Sequence, residues 1–328
     1  MSIEKLFDSF SSQRVLIIGD VMLDSHIWGS ADRISPEAPV PVVQVKKKDF
    51  RLGGAGNVAV NIAALGAEAV LCAFVGDDDS GQRIHQLMEE LGMTRDGIVV
   101  STHRPSTVKT RVIASHQQVV RIDEESDLEA HPEEEKQLWQ RIEKLLPTCQ
   151  VVIFEDYDKG VLNDHIIAKT VALASQLKIP TVVDPKKRNF LSYKEVTLFK
   201  PNLKELREGL KIEVAAANLD QVKAASKLLR QKLNAQGVMV TLSEHGVFID
   251  YQGSQVKLPA HAREIADVSG AGDTVVSVAS LCTALQCNAK LIAELSNLAG
   301  GLVCQHVGVV PINKEELRQE ALKLLSGS

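Results

Sequence analysis

The sequence predicts an α/β protein with a doubly wound, mainly parallel sheet, helices on both of its faces and a small β-sheet outside it. Three observations carry this. From residue 132 to residue 242 short apolar strands alternate with amphipathic helices through short connections, the pattern of a parallel sheet covered on both sides. Two glycine clusters, Gly53-Gly54-Ala55-Gly56 and Gly270-Ala271-Gly272, each open a helix. Residues 107–123 read as a hairpin that breaks the alternation and belongs outside the main sheet.

Taken in order, Arg14 to Gly19 is a buried strand that runs into Asp20-Val-Met-Leu-Asp24. Acids beyond a strand's C-terminal end sit where open α/β sheets bind ligands, so Asp20 and Asp24 either begin a turn or accept from a sugar hydroxyl. Three prolines between Arg33 and Pro41 exclude helix and favour extended chain at a sheet edge, with Lys46, Lys47 and Lys48 on the solvated edge that follows. Gly53-Gly54 then starts a helix with Val58, Ile62 and Leu65 on one face and Gly66 as its stop. Ala69 to Gly76 is a strand and Ser80 to Leu91 a helix.

The hairpin has strands on either side of Ser115-His116-Gln117, and it joins Pro39 to Val45 in the small sheet, giving a lid built from about 38–48 and 107–123. Lys109 and Arg111 share one strand face, as do Arg121 and Asp123. These cations are either solvated edge charges or a grip for an anionic substrate. The regular alternation follows: helix Pro132 to Leu145, strand Val151 to Glu155, helix Asn163 to Gln176, strand Thr181 to Asp184, a helix opened by Asn202, helix Leu219 to Leu233 and strand Gly237 to Leu242. A hairpin (Gly246 to Tyr251, Gln255 to Leu258) and helices from Gly270, from Ala289 to His306 and from Lys314 to Leu325 finish one domain, 1–328, without repeats or long linkers.

Composition narrows the function. With 328 residues, 45% of them hydrophobic, the chain can bury a large core. A net charge of −5 leaves no basic field for a nucleic-acid coat, and no apolar run reaches membrane-spanning length. The five cysteines lack a Cys-x-x-Cys pair and the histidines lack metal spacing, so reduced cysteines in a cytoplasmic protein are expected.

Asp267 to Ser277 carries the strongest chemical signal. Gly270 and Gly272 precede Asp273, and an apolar helical run follows. Free amides and the positive end of a helix dipole suit a phosphate, while Asp273 supplies a proton acceptor. Alone, the stretch reads equally as a Gly turn with a capping Asp. Gly54-x-Gly56-x-x-Ala59 formally matches a dinucleotide fingerprint, but Lys48 to Arg51 is no buried strand feeding it; the alternative is a helix start whose backbone closes over a small polar ligand, with Asn57 as donor and acceptor. Glu205 sits among Lys204, Arg207 and Glu208, as on a solvated helix face.

Four motifs in fixed order, Gly53-Gly54, Asn202-x-x-Glu205, Thr241-Leu-Ser-Glu-His-Gly246 and Gly270-Ala-Gly-Asp273, resemble the ribokinase-like, PfkB-type sugar kinases over residues 11–325. The resemblance implies that Asp273 is the general base, and that Gly270, Ala271 and Gly272 form the anion hole. Asn202 and Glu205 would hold magnesium and the ATP phosphates, Glu205 through water. Thr241, Ser243, Gly246 and Lys186 would line the nucleotide site, with Asn297 near the adenine. Asp24, Gly53, Gly54 and Asn57 would hold the sugar beneath a lid carrying Lys109 and Arg111. With a reference pKa of about 3.9, Asp273 should be ionised at pH 7.

Within the family, Gly19 to Asp24, Arg33 to Pro41, and Thr110 to Ala114 with Gln117-Gln118 most resemble bacterial D-glycero-D-manno-heptose 7-phosphate kinases. That implies transfer to the C1 hydroxyl, giving the 1,7-bisphosphate on the ADP-heptose route to lipopolysaccharide core. Lys109, Arg111, Arg121 or Lys186 would then meet the sugar's own phosphate. Many relatives carry a following nucleotidyltransferase domain, whereas this chain ends at Ser328, so a single-function kinase is expected. Glu155 stands where the resemblance leads one to expect Ser, which leaves its role open. A lid-mediated homodimer and a monovalent cation near Asp267 and Ser269 are further implications. The competing classes are a kinase for ribose, fructose phosphate or a nucleoside, an NAD-linked dehydrogenase and a non-catalytic sugar sensor.

Overall fold

Val15 to Ile18 are buried on both sides, as a central strand of a parallel sheet requires, and their side chains alternate between two separate cores. The computed structural model describes residues 2–114, 117–261 and 264–325. The chain begins with α1 (Ile3–Ser9), β1 (Arg14–Gly19), β2 (Val21–Ile34), β3 (Pro41–Gly54), α2 (Ala55–Ala64), β4 (Glu68–Gly76), α3 (Asp79–Glu90) and β5 (Ile98–Ser101). It continues with β6 (Thr107–Ala114), β7 (Gln117–Glu124), α4 (Pro132–Leu145), β8 (Val151–Glu155), α5 (Asp164–Gln176), β9 (Thr181–Asp184), β10 (Leu198–Phe199) and α6 (Leu203–Leu210). Last come α7 (Leu219–Leu233), β11 (Gly237–Thr241), β12 (Val247–Tyr251), β13 (Ser254–Leu258), α8 (Ala271–Ala284), α9 (Ala289–Val303) and α10 (Lys314–Leu325).

Among the described residues the main sheet has nine strands in the order β13-β12-β11-β10-β9-β8-β1-β4-β5. All neighbours are parallel except β11/β12 and β12/β13. Helices α2, α8 and α9 pack on one face, and α4, α5 and α7 on the other. The helices α4, α5 and α7 fall where the 3.6-residue periodicity places them. Asn163, Asn202 and Asn218 cap α5, α6 and α7 by accepting a backbone N–H.

The small sheet has the order β3-β2-β6-β7. Its longest members, β2 and β3, pair from Val21↔Gly54 out to Ile34↔Pro41 with two bulges, and β2 is parallel to β6. The expected hairpin at 107–123 is seen as β6 and β7, whereas the segment at 38–48 belongs to a longer strand, β3, that continues to Gly54; β2 lay unrecognised because its mixed alternation, with Asp24, His26 and Asp32 among apolar residues, resembles a loop. The Ser115-His116 turn lies outside the described residues. The short strands β5 and β10 and the helix α1 also escaped the reading, being too brief to show a period. The five cysteines form no disulfide, and no helix among the described residues is long and apolar enough to cross a membrane.

Candidate active site

Five adjacent strands of the main sheet end in a polar side chain or run directly into one. Asp20 follows β1, Glu155 ends β8, Asp184 ends β9, Lys200 follows β10 and Thr241 ends β11. This is the end at which open parallel sheets receive ligands. A larger cavity of about 740 Å³ opens at the opposite end, among Gln150, Lys178, Thr181 and Gln236 at or just before strand starts, and does not touch this cluster.

Asp273 lies in the first turn of α8, directly over the strand ends, and is 9% exposed. Asn57 on α2 donates from Nδ2 to its Oδ2 at 2.6 Å, and the Tyr157 hydroxyl donates to Oδ1 at 3.1 Å. The two helices are held in register by polar contacts along the same seam, where Thr274 donates to Asn61 Oδ1 and Asn61 to the Asn57 carbonyl. Burial, offset in part by the Asn57 donor and reinforced by the Asp184 charge, pushes the Asp273 carboxyl up to about 6. It is thus ionised at pH 7, as expected, but far closer to its titration than an exposed Asp. The N-cap Gly270 is left-handed (φ 77°, ψ 0°), and a Cβ there would come within 3.2 Å of Asn57 Nδ2. Glycine therefore lets the turn close against the residue that holds the base. The first-turn amides after it have no partner inside the helix and face the cleft with the positive end of the dipole.

A cleft of about 490 Å³ runs away from Asp273 on the β11 side. It is lined by Ala271, Gly272 and Asp273 together with Lys186, Asn202, Glu205, Thr241, Ser243, Gly246 and Asn297, so motifs far apart in sequence share one wall. Asn202 and Thr241 are joined by a parallel bridge. The solvated-face reading of Glu205 fails, because its carboxylate closes a capping box with Asn202 and accepts from Lys186 Nζ at 3.1 Å. Lys186 also stands over the Tyr157 ring, 4.9 Å from its centroid. Asn297 donates to the Pro259 carbonyl at 2.9 Å and so fixes a loop at the cleft's far end.

On the other side of Asp273 lie the small-sheet residues. Gly54 has φ 59° and ψ −133°, and a Cβ there would be 2.3 Å from the Asp20 carbonyl. Gly53 is packed against the Asp24 carboxylate, where a Cβ would come to 2.5 Å of Oδ2. The double glycine thus lets β3 enter beside β2. The three cations of this sheet expected to meet the sugar each have an acidic partner: Arg111 meets Asp24 at 2.5 Å, Lys109 meets Glu125 at 2.9 Å and Arg121 meets Asp123 at 3.0 Å. Glu125 also pairs with Lys159 at 2.8 Å, tying the small sheet to the loop after β8. The Asp20 carboxylate orders that loop by accepting the backbone N–H groups of Tyr157, Lys159 and Val161, which leaves it a structural part rather than a sugar acceptor.

Sequence reading missed Tyr157, Asp184 and Lys200. Lys200 Nζ meets Asp184 Oδ2 at 2.8 Å, and both are nearly buried. Burial opposes the Lys200 charge, but Asp184 and Glu205 outweigh it and hold its pKa above the ordinary value. The available signal was the one applied to Asp20: an apolar strand ending in a charged residue. Glu155, left open above, is wholly buried, and neither of its carboxylate oxygens has a hydrogen-bond partner. Burial, then the charges of Asp184 and Asp273, drive its pKa well above the carboxylate range. Such a basin of acids, flanked by Lys186 and Lys200, fits a cation-bound phosphate chain in chemical terms.

A buried carboxylate at a helix N-terminus, set between a polar cleft and a separate small sheet, suits phosphoryl transfer to a hydroxyl. The chain belongs to the pfkB family of carbohydrate kinases, whose description matches residues 12–316. It is 42% identical to the bifunctional protein HldE of Campylobacter curvus over 93% of this chain and 64% of that one, and 41% identical to the bifunctional protein HldE of Granulibacter bethesdensis over 95% and 65%. The chain therefore spans slightly less than two thirds of these relatives. Among solved structures it resembles phosphofructokinase-2 from Escherichia coli in complex with fructose-6-phosphate (TM-score 0.77, 18% identity, 96% and 99% covered). It also resembles Arabidopsis thaliana ribokinase complexed with ribose and ATP (TM-score 0.73, 16% identity, 96% and 99% covered). At these identities the two structures establish the ribokinase-like fold.

Proposed function

We propose that this chain transfers the γ-phosphoryl group of ATP to the C1 hydroxyl of D-glycero-D-manno-heptose 7-phosphate, giving the 1,7-bisphosphate used on the ADP-heptose route to lipopolysaccharide core. One observation carries the chemistry: Asp273 stands between the nucleotide cleft and the small sheet, fixed by Asn57 and Tyr157, in the first turn of α8. Asp273 takes the proton of the attacking hydroxyl, the amides around Gly270, Ala271 and Gly272 receive the transferring phosphoryl, and the closed site excludes water. Asn202 and Glu205 would hold magnesium and the nucleotide phosphates, Glu205 through water; magnesium would supply neutralisation of phosphate charge. Lys186, Thr241, Ser243 and Gly246 line the nucleotide path.

The heptose phosphate reading is supported by the likeness to HldE proteins and by the cations beside Asp24 and Gly53. An arriving sugar phosphate exchanges places with Asp24, Asp123 or Glu125 on Arg111, Arg121 or Lys109. Val119, Val120 and Ile122 are exposed on β7, the outer strand of the small sheet, which suits pairing of two copies through their lids. Purified protein with ATP and magnesium, offered heptose 7-phosphate, ribose and fructose 6-phosphate, is expected to yield a heptose bisphosphate. Turnover of either other sugar without heptose 7-phosphate would overturn the substrate assignment, and a monomeric mass in light scattering would overturn the dimer.

A further inference from the structure

The small sheet reaches the start of α8 by a second route that does not pass through Asn57. Arg51 lies on β3 as the register partner of Asp24 on β2, which in turn pairs with Lys109 on β6, so Arg51 shares the face of the sheet that carries these residues. Its guanidinium is held at both edges. Nε and Nη2 reach Asp49 Oδ2 at 3.1 and 3.0 Å, and Nη1 donates to the Val309 carbonyl at 2.7 Å. Arg111, Lys109 and Arg121 end on carboxylates, whereas Arg51 ends on a backbone carbonyl of the main body.

Val309 belongs to the segment between α9 and α10, and that segment is fastened to the start of α8 twice more. The Gly308 amide donates to Asp267 Oδ2 at 2.9 Å, while Oδ1 of the same carboxylate accepts from the Ser269 amide and hydroxyl at 3.0 and 2.8 Å. The Val309 side chain lies against Gly270, where a Cβ would come to 3.0 Å of Cγ1 and 3.7 Å of Cγ2. Gly270 caps α8, and Asp273 follows in its first turn. A continuous path of contacts thus runs from β3 through Arg51 and Val309 to the glycine turn. An ion pair with Asp49 alone would stabilise little at the surface. The rigid fork changes this, since anchoring one edge on Asp49 fixes where the other arm points.

We propose that Arg51 is a positioning residue for the phosphoryl transfer put forward above: it sets the spacing between the sugar-holding face of the small sheet and the turn at Gly270 to Gly272. It touches neither reactant. The inference rests on the kinase reading and adds to it the strut that keeps the attacking hydroxyl and the phosphoryl group in line.

Hydrogen exchange of the ligand-free protein tests the strut itself. In Arg51→Met the amides of Gly308 and Thr274, bonded to Asp267 and to the Gly270 carbonyl, should exchange faster, while those of α7 keep their rates. Kinetics test its use, on whichever of heptose 7-phosphate, ribose and fructose 6-phosphate the intact chain turns over best. In Arg51→Met kcat should fall at least about tenfold, toward the roughly 10²-fold that a misplacement of about 1 Å can bring, and the KM values for ATP and sugar should change less than kcat. Asp49→Asn is the second variant. It loosens the anchored edge but leaves the bond to Val309, so its loss should be smaller and should not add to that of Arg51→Met in the double variant. The Tm of each variant reports its folding. Unchanged exchange at Gly308 and Thr274, a smaller fall in kcat, or a raised KM for the sugar with kcat unchanged, which would make Arg51 a substrate contact, would each overturn the proposal. The exchange measurement uses neither sugar nor nucleotide, so its outcome is separate from that of the substrate assignment.

Discussion

Asn57 Nδ2 lies 2.6 Å from Asp273 Oδ2, so the residue expected to hold the sugar also grips the proposed base from the neighbouring helix. Among the groups around Asp273 this donor is the largest influence favouring the charged form. In Asn57→Ala the base should therefore titrate higher, and kcat/KM should fall by the equivalent of about 1.5–3 kcal/mol, the usual worth of a hydrogen bond to a charged group. The acid limb of the pH profile is the deciding measurement: it should move upward in the variant, and an unmoved limb would assign Asn57 to sugar contact alone.

Asp273 itself should set an acid limb at or below about pH 6 in the intact enzyme, because burial raises it to about 6 and any bound cation lowers it again. kcat/KM should fall as pH drops through that limb. A limb centred above pH 7 would exclude Asp273 as the base.

Asp273→Asn should lose at least on the order of 10² to 10³ in kcat, as for loss of a well-placed electrostatic group, yet keep or raise its Tm at pH 7. The sign follows from linkage. A carboxyl raised to about 6 in the folded state, against about 3.9 unfolded, binds its proton more tightly when folded. Its contribution to stability is present below pH 4 and is lost as pH climbs through 6, so removing the charge removes a penalty at neutral pH. Activity and melting measured on one preparation check both halves.

Lys200→Met should behave in the opposite way. It leaves Asp184 buried beside Glu155 without its 2.8 Å partner, and loss of one member of a buried pair typically costs about 3–5 kcal/mol. Denaturant unfolding of the variant measures this; a loss below about 1 kcal/mol would mean that Asp184 has another counter-charge.

Gly54→Ala should destabilise the chain by about 1–3 kcal/mol through backbone strain alone, and by more if the Asp20 carbonyl cannot move, since the added methyl would stand 2.3 Å from it. Faster cleavage within residues 35–40 under limited proteolysis would report loosening of β2 and β3.

The fold was legible because its periodic elements are long. Pro132 to Leu145 and Leu219 to Leu233 span several turns with one apolar face, the first opening on a proline and the second capped by Asn218. The wall of the cleft was legible for another reason, since Asn202, Thr241 and Gly246 each mark a strand or helix boundary. What stayed hidden needed the third dimension. Nothing local distinguishes Lys200 from a surface lysine until β9 and β10 are adjacent, and Glu205 looks solvated until Lys186 arrives from another loop. Tyr157 carries no motif at all. Its hydroxyl reaches Asp273 only because Asp20, 137 residues earlier, pulls its backbone across the end of β1.

The small sheet joins the main body at several points, and two of them are tight: Asp20-Val21, where β1 passes into β2, and Gly54-Ala55, where β3 passes into α2. These points are clamped together, because the Ala55 amide donates to the Asp20 carbonyl. Asn57 lies one turn of helix beyond them. Any rotation of the sheet about this clamp would reach the Asn57 amide and the carboxylate it grips. The small sheet and the Asp273 carboxylate are therefore two ends of one short lever.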